Sequence, residues 1–111
     1  MSRTASCALA VADESRNSHL PDTPTTIEAG YPKLQATLWM GVLAPAGTPP
    51  GIVNTLNAAI NEALRTQDFE ASLARVSAKA KIGSPQDFAA FMAAETQKWA
   101  EVVNAAGVKV D

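Results

Sequence analysis

Two proline-marked helix starts constrain this 111-residue chain more than any other feature of its sequence. The segment Thr48-Pro49-Pro50 joins a hydroxyl side chain, which can cap a helix, to prolines, whose missing N–H groups would have no partner in a first helical turn. The segment Ser84-Pro85-Gln86-Asp87 places an acidic residue three positions after its hydroxyl, which is a variant of the capping box. These two signals predict where two helices begin.

Apolar residues recur at helical spacing after the first signal. The predicted apolar face of this helix contains Ile52, Val53, Leu56, Ala59, Ile60, Ala63 and Leu64. The opposite, polar face contains Asn54, Asn57, Asn61, Glu62 and Arg65. A shorter helix that follows is expected to have Asp68 as its cap and to bury Phe69, Leu73 and Val76. We expect the apolar faces of both helices to pack against other elements.

The last helix is predicted to run from Ser84 to Gly107, because glycine readily adopts the left-handed conformation that ends many helices. Its apolar stripe contains Phe88, Phe91, Met92, Trp99, Val102, Val103 and Ala106. Glu95 interrupts the stripe, and we expect it to pair with Lys98 or another residue three or four positions away. Trp99 is expected to lie in the core.

Three segments have the patterns of strands. Cys7–Ala12 is a continuous apolar run, typical of a strand buried on both faces, although a short helix has the same appearance. Leu34–Ala44 alternates with a period of two, and Lys79–Ile82 alternates briefly as an edge strand would. The predicted fold class is therefore α/β: a small sandwich of a short sheet with about three packed helices. We expect a single domain over residues 1–111, with residues 1–6 disordered.

The loop between the first two predicted strands is stiff and polar. Leu20-Pro21-Asp22-Thr23-Pro24 contains two prolines, which cannot donate to a sheet ladder. Thr25 can then cap a short helical turn over residues 26–29, which Gly30 would end.

Composition and charge exclude several classes of protein. The net charge is −2 with interspersed signs, so no basic stripe is present for nucleic acid. No apolar run approaches the roughly 18 residues of a membrane-spanning helix. The apolar stretch after Arg3 is too short for a signal peptide, so the chain as written is expected to be cytoplasmic.

Catalytic and metal-binding chemistry has few candidate residues. His19 is the only histidine and Cys7 the only cysteine, so the chain forms no internal disulfide. Neither a nucleophile–base pair nor a zinc site is indicated, because both need further groups in reach. We expect no enzymatic activity, no catalytic residues, no metal and no cofactor.

Several short segments of the sequence, taken together, resemble those of a known family. They are Leu20-Pro21-Asp22-Thr23-Pro24-Thr25, Glu28-Ala29-Gly30-Tyr31-Pro32, Trp39–Thr48 with Pro49, and a tail that includes Gly83-Ser84-Pro85, Glu95, Trp99 and Ala106–Lys109. In this order the chain resembles the C-terminal part of the tripartite tricarboxylate transporter receptors, also called the Bug family, from about Cys7 to Asp111. The resemblance implies a periplasmic protein of two α/β lobes that binds carboxylate metabolites for a membrane permease.

The resemblance also sets the functional expectations. Matching only part of such a receptor would leave apolar faces exposed, so we expect a homodimer. The first interpretation is a non-enzymatic interaction module that binds a small molecule or an unidentified protein. The alternatives are a small-carboxylate binding protein related to tricarboxylate uptake and a gene remnant without selected function. The candidate ligand-binding residues are Asp22, Thr25 and Trp39, and Arg16 is the arginine nearest to the loop in sequence.

Overall fold

The computed structural model of the protein describes residues 6–109. Within this range the chain forms three α-helices: α1 (Pro50–Leu64), α2 (Gln67–Arg75) and α3 (Pro85–Ala106). The chain divides into two compact units, unit 1 (Met1–Leu43) and unit 2 (Ala44–Asp111). All three helices belong to unit 2. No helix in the described part of the chain is long and apolar enough to cross a membrane.

The start of α1 is predicted correctly, but its cap is not the predicted threonine. Pro49 occupies the N-cap position, and no side chain caps the helix there. The hydroxyl of Thr48 instead donates to the carbonyl of Pro45 at 2.7 Å and closes the preceding turn. The prolines at the helix start compensate, because they present no N–H groups that would need a cap.

The other two helices also begin at local sequence signals. In α2 the cap is Thr66, whose hydroxyl accepts from the N–H of Phe69 at 3.4 Å, while the predicted cap Asp68 lies inside the first turn. In α3 the predicted capping box is confirmed: Ser84 Oγ accepts from the N–H of Asp87 at 3.0 Å, and Asp87 Oδ2 accepts from the N–H of Ser84 at 2.9 Å. Gly107 ends α3 at φ 66°.

The predicted α/β sandwich is wrong, because no strand occurs between residues 6 and 109. Cys7–Ala12 is neither a strand nor a helix; its backbone forms an isolated parallel bridge between Val11 and Thr25, and the carbonyl of Ala12 accepts a single bond from the N–H of Ala36 at 3.0 Å. Leu34–Ala44 and Lys79–Ile82 are likewise extended segments without a ladder. An alternating pattern defines two faces of a segment, but a strand also needs a neighbour to bond its backbone, and that neighbour is not encoded locally.

The face of α1 that packs within unit 2 is mixed, because its half-buried residues are Val53, Asn57, Asn61 and Leu64. The side-chain amides of Asn57 and Asn61 both donate to the carbonyl of Gly83, at 3.0 and 2.9 Å. These bonds hold the start of α3 against the middle of α1. The expected packing of the α1 apolar face holds only in part: Val53 and Leu64 are half-buried, whereas Ile52, Leu56 and Ile60 remain 52, 51 and 38 % exposed.

Side chains of α3 confirm one prediction and correct another. Lys98 Nζ lies 3.0 Å from Glu95 Oε1, as the spacing predicted. Trp99 is exposed rather than in a core, and its indole N–H donates to Glu95 Oε2 at 2.9 Å. Lys98 also lies over the Trp99 ring, 5.2 Å from its centroid. The three side chains form a surface cluster around one carboxylate. Over the described residues, no large apolar side chain is buried.

Candidate functional site

The buried residues described in unit 1 are polar. Thr25 and Thr26 are 3 and 6 % exposed. The backbone of Val11 is fixed against them, since its N–H donates to the carbonyl of Pro24 and its carbonyl accepts from the N–H of Thr26, each at 2.9 Å. The hydroxyl of Thr26 donates to the carbonyl of Leu34. This threonine hub (Thr25 and Thr26) therefore joins three stretches of unit 1.

Thr25 and Glu28 form a capping box around the short turn. Thr25 Oγ1 accepts from the N–H of Glu28 at 3.1 Å, and Glu28 Oε2 accepts from the N–H of Thr25 at 2.8 Å. The capping role of Thr25 and the end of the turn at Gly30, which has φ 93°, are confirmed. The role of Glu28 was missed, although a threonine three positions before a glutamate is a sufficient signal.

Arg16 also binds the carboxylate of Glu28. Its Nε lies 2.9 Å from Glu28 Oε2, its Nη2 lies 2.8 Å from Glu28 Oε1, and its Nη1 donates to the carbonyl of Pro21 at 3.0 Å. The side-chain bond from Arg16, followed by the backbone N–H of Thr25, lowers the pKa of Glu28 from 4.5 to about 2. The side-chain bond to Glu28 also raises the pKa of Arg16 above its usual range. Arg16 is thus committed to a structural ion pair.

The three predicted ligand-binding residues all lie in unit 1 but in different settings. Asp22 is exposed on the proline loop, where its charge adds to the field that raises the pKa of Arg16. Thr25 is buried, and its hydroxyl accepts the bond in the capping box. Trp39 is 39 % exposed on the extended segment. Their assignment to a ligand stays a prediction.

A surface concavity lies directly after the short turn. It has a volume of about 430 Å³ and is lined by Gly30, Tyr31, Pro32, Lys33 and Leu34. Its lining is mainly apolar, with one lysine. Sequence reasoning placed no candidate residue here, although the Gly-Tyr-Pro turn was part of the family resemblance.

Metal-binding side chains are not gathered in the part of the chain that the structure describes. Between residues 6 and 109 no group of three or more His, Cys, Asp and Glu side chains could hold a metal ion. Cys7 is an exposed free thiol, and the backbone N–H of His19 donates to Asn17 Oδ1 at 2.8 Å in a local turn.

Comparison with known proteins shows which family the chain belongs to. The model of the tripartite tricarboxylate transporter family receptor, TctC, matches residues 4–108. The chain belongs to this receptor family. The predicted resemblance is thereby confirmed over nearly the whole chain.

Relatives within the receptor family are considerably longer. Protein BugT of Bordetella pertussis is 41 % identical over 103 residues, which are 93 % of this chain and 32 % of that protein. A UPF0065 protein in the tcbD-tcbE intergenic region of Pseudomonas sp. is 37 % identical over 97 residues, 86 % of this chain and 29 % of that protein. A third, in the clcB-clcD intergenic region of Pseudomonas knackmussii, is 32 % identical over 97 residues. This chain spans about a third of the length of the first two.

Proposed function

We propose that this member of the receptor family is a non-enzymatic interaction module that associates with a second copy of itself. The observation that carries the proposal is the exposed apolar stripe of α1, formed by Ile52, Leu56 and Ile60. These residues are spaced four apart, so they form one continuous ridge along the helix.

The geometry of unit 2 explains why the stripe is available. Asn57 and Asn61 use the other side of α1 to hold the carbonyl of Gly83. Contiguous apolar patches are uncommon on soluble monomers and generally find a partner. A second copy presents the same ridge, and a two-fold axis brings two identical ridges together without any further sequence requirement.

The proposal is tested by the mass in solution. Light scattering on a sizing column is expected to give about twice 11.6 kDa for the unmodified chain. Leu56→Glu is expected to halve that mass, because it places a charge in the middle of the ridge while replacing a side chain that is already exposed. Asn54→Glu adds the same charge on the opposite, exposed side of α1 and is expected to leave the dimer intact.

Two results would contradict self-association. One is a monomer at high micromolar concentration for the unmodified chain. The other is an equal loss of mass in both glutamate variants, which would mean that net charge and not the stripe governs association.

A second candidate function is the binding of a small carboxylate, supported by the family match over residues 4–108. Asp22 and Thr25 flank the Arg16–Glu28 pair, and the indole of Trp39, which is 39 % exposed, could cover an apolar part of a ligand. Trp39→Ala is expected to weaken binding of a tricarboxylate, measured by calorimetry. An unchanged affinity would remove Trp39 from the site.

Two further sequence predictions stay predictions. The chain is expected to form a single domain over residues 1–111 and to be cytoplasmic, whereas its receptor family is periplasmic. The predicted disorder of residues 1–6 concerns mostly residues 1–5, which lie outside the described range.

A further inference from the structure

We propose that the α1 helices of two copies pack antiparallel, with the ridge of each copy lying in a groove of small side chains on the other. This inference rests on the self-association proposed above and adds its orientation and register. The ridge consists of Ile52, Leu56 and Ile60. The groove, which we call the alanine groove, is the neighbouring row of smaller side chains, Thr55, Ala59 and Ala63.

The alanine groove lies directly beside the ridge on the exposed side of α1. Both rows repeat every four residues, so they run next to each other along the helix. All three groove residues are exposed, whereas the row on the other flank of the ridge contains the half-buried Val53 and Asn57. The hydroxyl of Thr55 already donates to the carbonyl of Gly51 at 2.9 Å. Covering the groove therefore leaves no hydroxyl donor of this row without a partner.

A ridge of large side chains beside a groove of small ones is complementary to itself. In an antiparallel pair about a two-fold axis, the register that places Leu56 opposite Ala59 sets a large residue opposite a smaller one at every contact. The facing pairs are Ile52 with Ala63, Leu56 with Ala59, and Ile60 with Thr55 of the second copy. Packing of such four-residue ridges into grooves is the commonest class of helix contact in globular proteins.

A parallel pair lacks this complementarity. Two parallel helices related by a two-fold axis place each residue opposite its own copy, so Leu56 would face Leu56 and Ala59 would face Ala59. The large side chains would hold the helices apart, and the alanines would leave unfilled space between them. The shape of the exposed face therefore favours the antiparallel orientation.

The charge distribution of α1 favours the same orientation. The first turn of α1 contains no acidic residue, and no side chain caps it, so its own side chains do not neutralise the positive end of the helix dipole. Glu62 is exposed in the last turn, where its charge has the same sign as that helix end. In the antiparallel register Glu62 lies level with the first turn of the other copy. Each copy thus places a carboxylate near the positive end of the other helix.

The orientation is tested by disulfide cross-linking of the full chain. All variants carry Cys7→Ser, because Cys7 is an exposed free thiol. Ile52→Cys/Ala63→Cys places two thiols that face each other across the antiparallel pair, so mild oxidation is expected to give a covalent dimer on a non-reducing gel. Within one helix the two positions are roughly 16 Å apart, beyond the limit of about 7 Å for a disulfide.

Two controls accompany the double cysteine variant. Ile52→Cys alone is expected to remain uncross-linked, because the antiparallel pair keeps the two copies of position 52 as far apart as positions 52 and 63 of one helix. Asn54→Cys/Arg65→Cys has the same spacing on the opposite, exposed side of α1 and is also expected to remain uncross-linked.

The register is tested by exchanging a large and a small residue. Ala59→Leu is expected to weaken self-association about tenfold, because it fills the position that receives Leu56 of the second copy. Leu56→Ala/Ala59→Leu again sets one large residue opposite one small residue and is expected to restore the dissociation constant to within about threefold. Ala58→Leu adds the same volume on the exposed side away from the ridge and is expected to have no effect. Light scattering over a range of concentrations measures all four proteins.

Each result separates this inference from the proposal on which it rests. Cross-linking of Ile52→Cys as efficient as that of the double variant would show a parallel pair and overturn the inference, while self-association through α1 would stand. Equal cross-linking of Asn54→Cys/Arg65→Cys, or failure of the exchanged pair to restore association, would overturn it as well. A monomeric unmodified chain would overturn both the inference and the proposed function.

Discussion

Arg16 and Glu28, twelve positions apart, are joined by a two-pronged ion pair in which Nε contacts Oε2 at 2.9 Å and Nη2 contacts Oε1 at 2.8 Å. The same carboxylate accepts the N–H of the buried Thr25. One side chain therefore completes a helix cap and fixes the polar loop. Unit 1 has no strand or helix in the described range, so such contacts hold its shape.

Removal of the Arg16 guanidinium is expected to loosen the loop. Arg16→Met keeps most of the side-chain length but leaves Glu28 without its two charged bonds and Pro21 without its donor. The amide of Thr25 is expected to exchange with solvent severalfold faster, as measured by hydrogen exchange in NMR spectra. Arg75→Met, which removes an arginine from unit 2, serves as the control. Unchanged exchange in Arg16→Met would show that the pair does not stabilise the hub.

Acid is expected to destabilise unit 1 through Glu28. The pKa of Glu28 is lowered from 4.5 to about 2 in the folded chain, so its carboxylate stabilises the fold fully above pH 4.5. That contribution is lost as the pH falls from about 4.5 towards 2. The amide exchange of Thr25 and Val11, followed between pH 5 and 2, is the measurement.

Glu28→Gln separates this effect from other acid transitions. The variant is expected to remove the pH dependence of Thr25 exchange below pH 4.5. The pKa of Asp87 is also lowered, mainly by the backbone N–H of Ser84, so reporters must be taken from unit 1. An identical acid transition in Glu28→Gln would assign it to another group.

The two asparagines of α1 are expected to behave non-additively. The carbonyl of Gly83 accepts from both Asn57 and Asn61, so loss of one donor leaves the other. Each single change to alanine is expected to cost about 0.5 kcal/mol and the double change about 2 kcal/mol, because the carbonyl then has no donor. Urea unfolding of the four proteins measures this. Strict additivity would show that the two bonds act independently.

Replacing each of two glycines with alanine is expected to change the stability of the chain in opposite directions. Gly107 has φ 66°, so Gly107→Ala forces a side chain into the left-handed conformation and is expected to destabilise the chain by about 1 kcal/mol. Gly51 lies in α1 with open space around it, so Gly51→Ala is expected to stabilise by about 0.5 kcal/mol. Melting temperatures of the two variants provide the test, and a shift of the same sign in both would contradict the conformational argument.

The elements that could be predicted are those specified by neighbours in sequence. Ser84 and Asp87 cap α3 through bonds that span three residues, and Gly107 ends it without help from any distant group. Thr25 caps its turn in the same way. The pair Glu95–Lys98 depends on helical spacing alone. The family could also be recognised from the order of short sequence motifs, and the match over residues 4–108 confirms it.

The predictions that failed required knowledge of a distant partner. Leu34–Ala44 has the alternation of a strand, yet the described structure supplies no adjacent strand, and Leu38 and Met40 remain exposed. The concavity lined by Gly30–Leu34 was missed because its shape depends on the bond from the Thr26 hydroxyl to the carbonyl of Leu34, eight residues later. Apolar periodicity measures what a segment could bury, not whether another segment is there to bury it.

The sequence by itself determined where the three helices begin and where α3 ends, because caps, prolines and a left-handed glycine act within about four residues. Only the tertiary structure decided which side of α1 packs. Asn57 and Asn61 are an ordinary polar face in the sequence, but Gly83 lies 22 residues beyond Asn61 and brings its carbonyl to both amides. That bond pair fixes the rotation of α1, so Asn57 and Asn61 pack beside Val53 and Leu64 while Ile52, Leu56 and Ile60 stay at the surface.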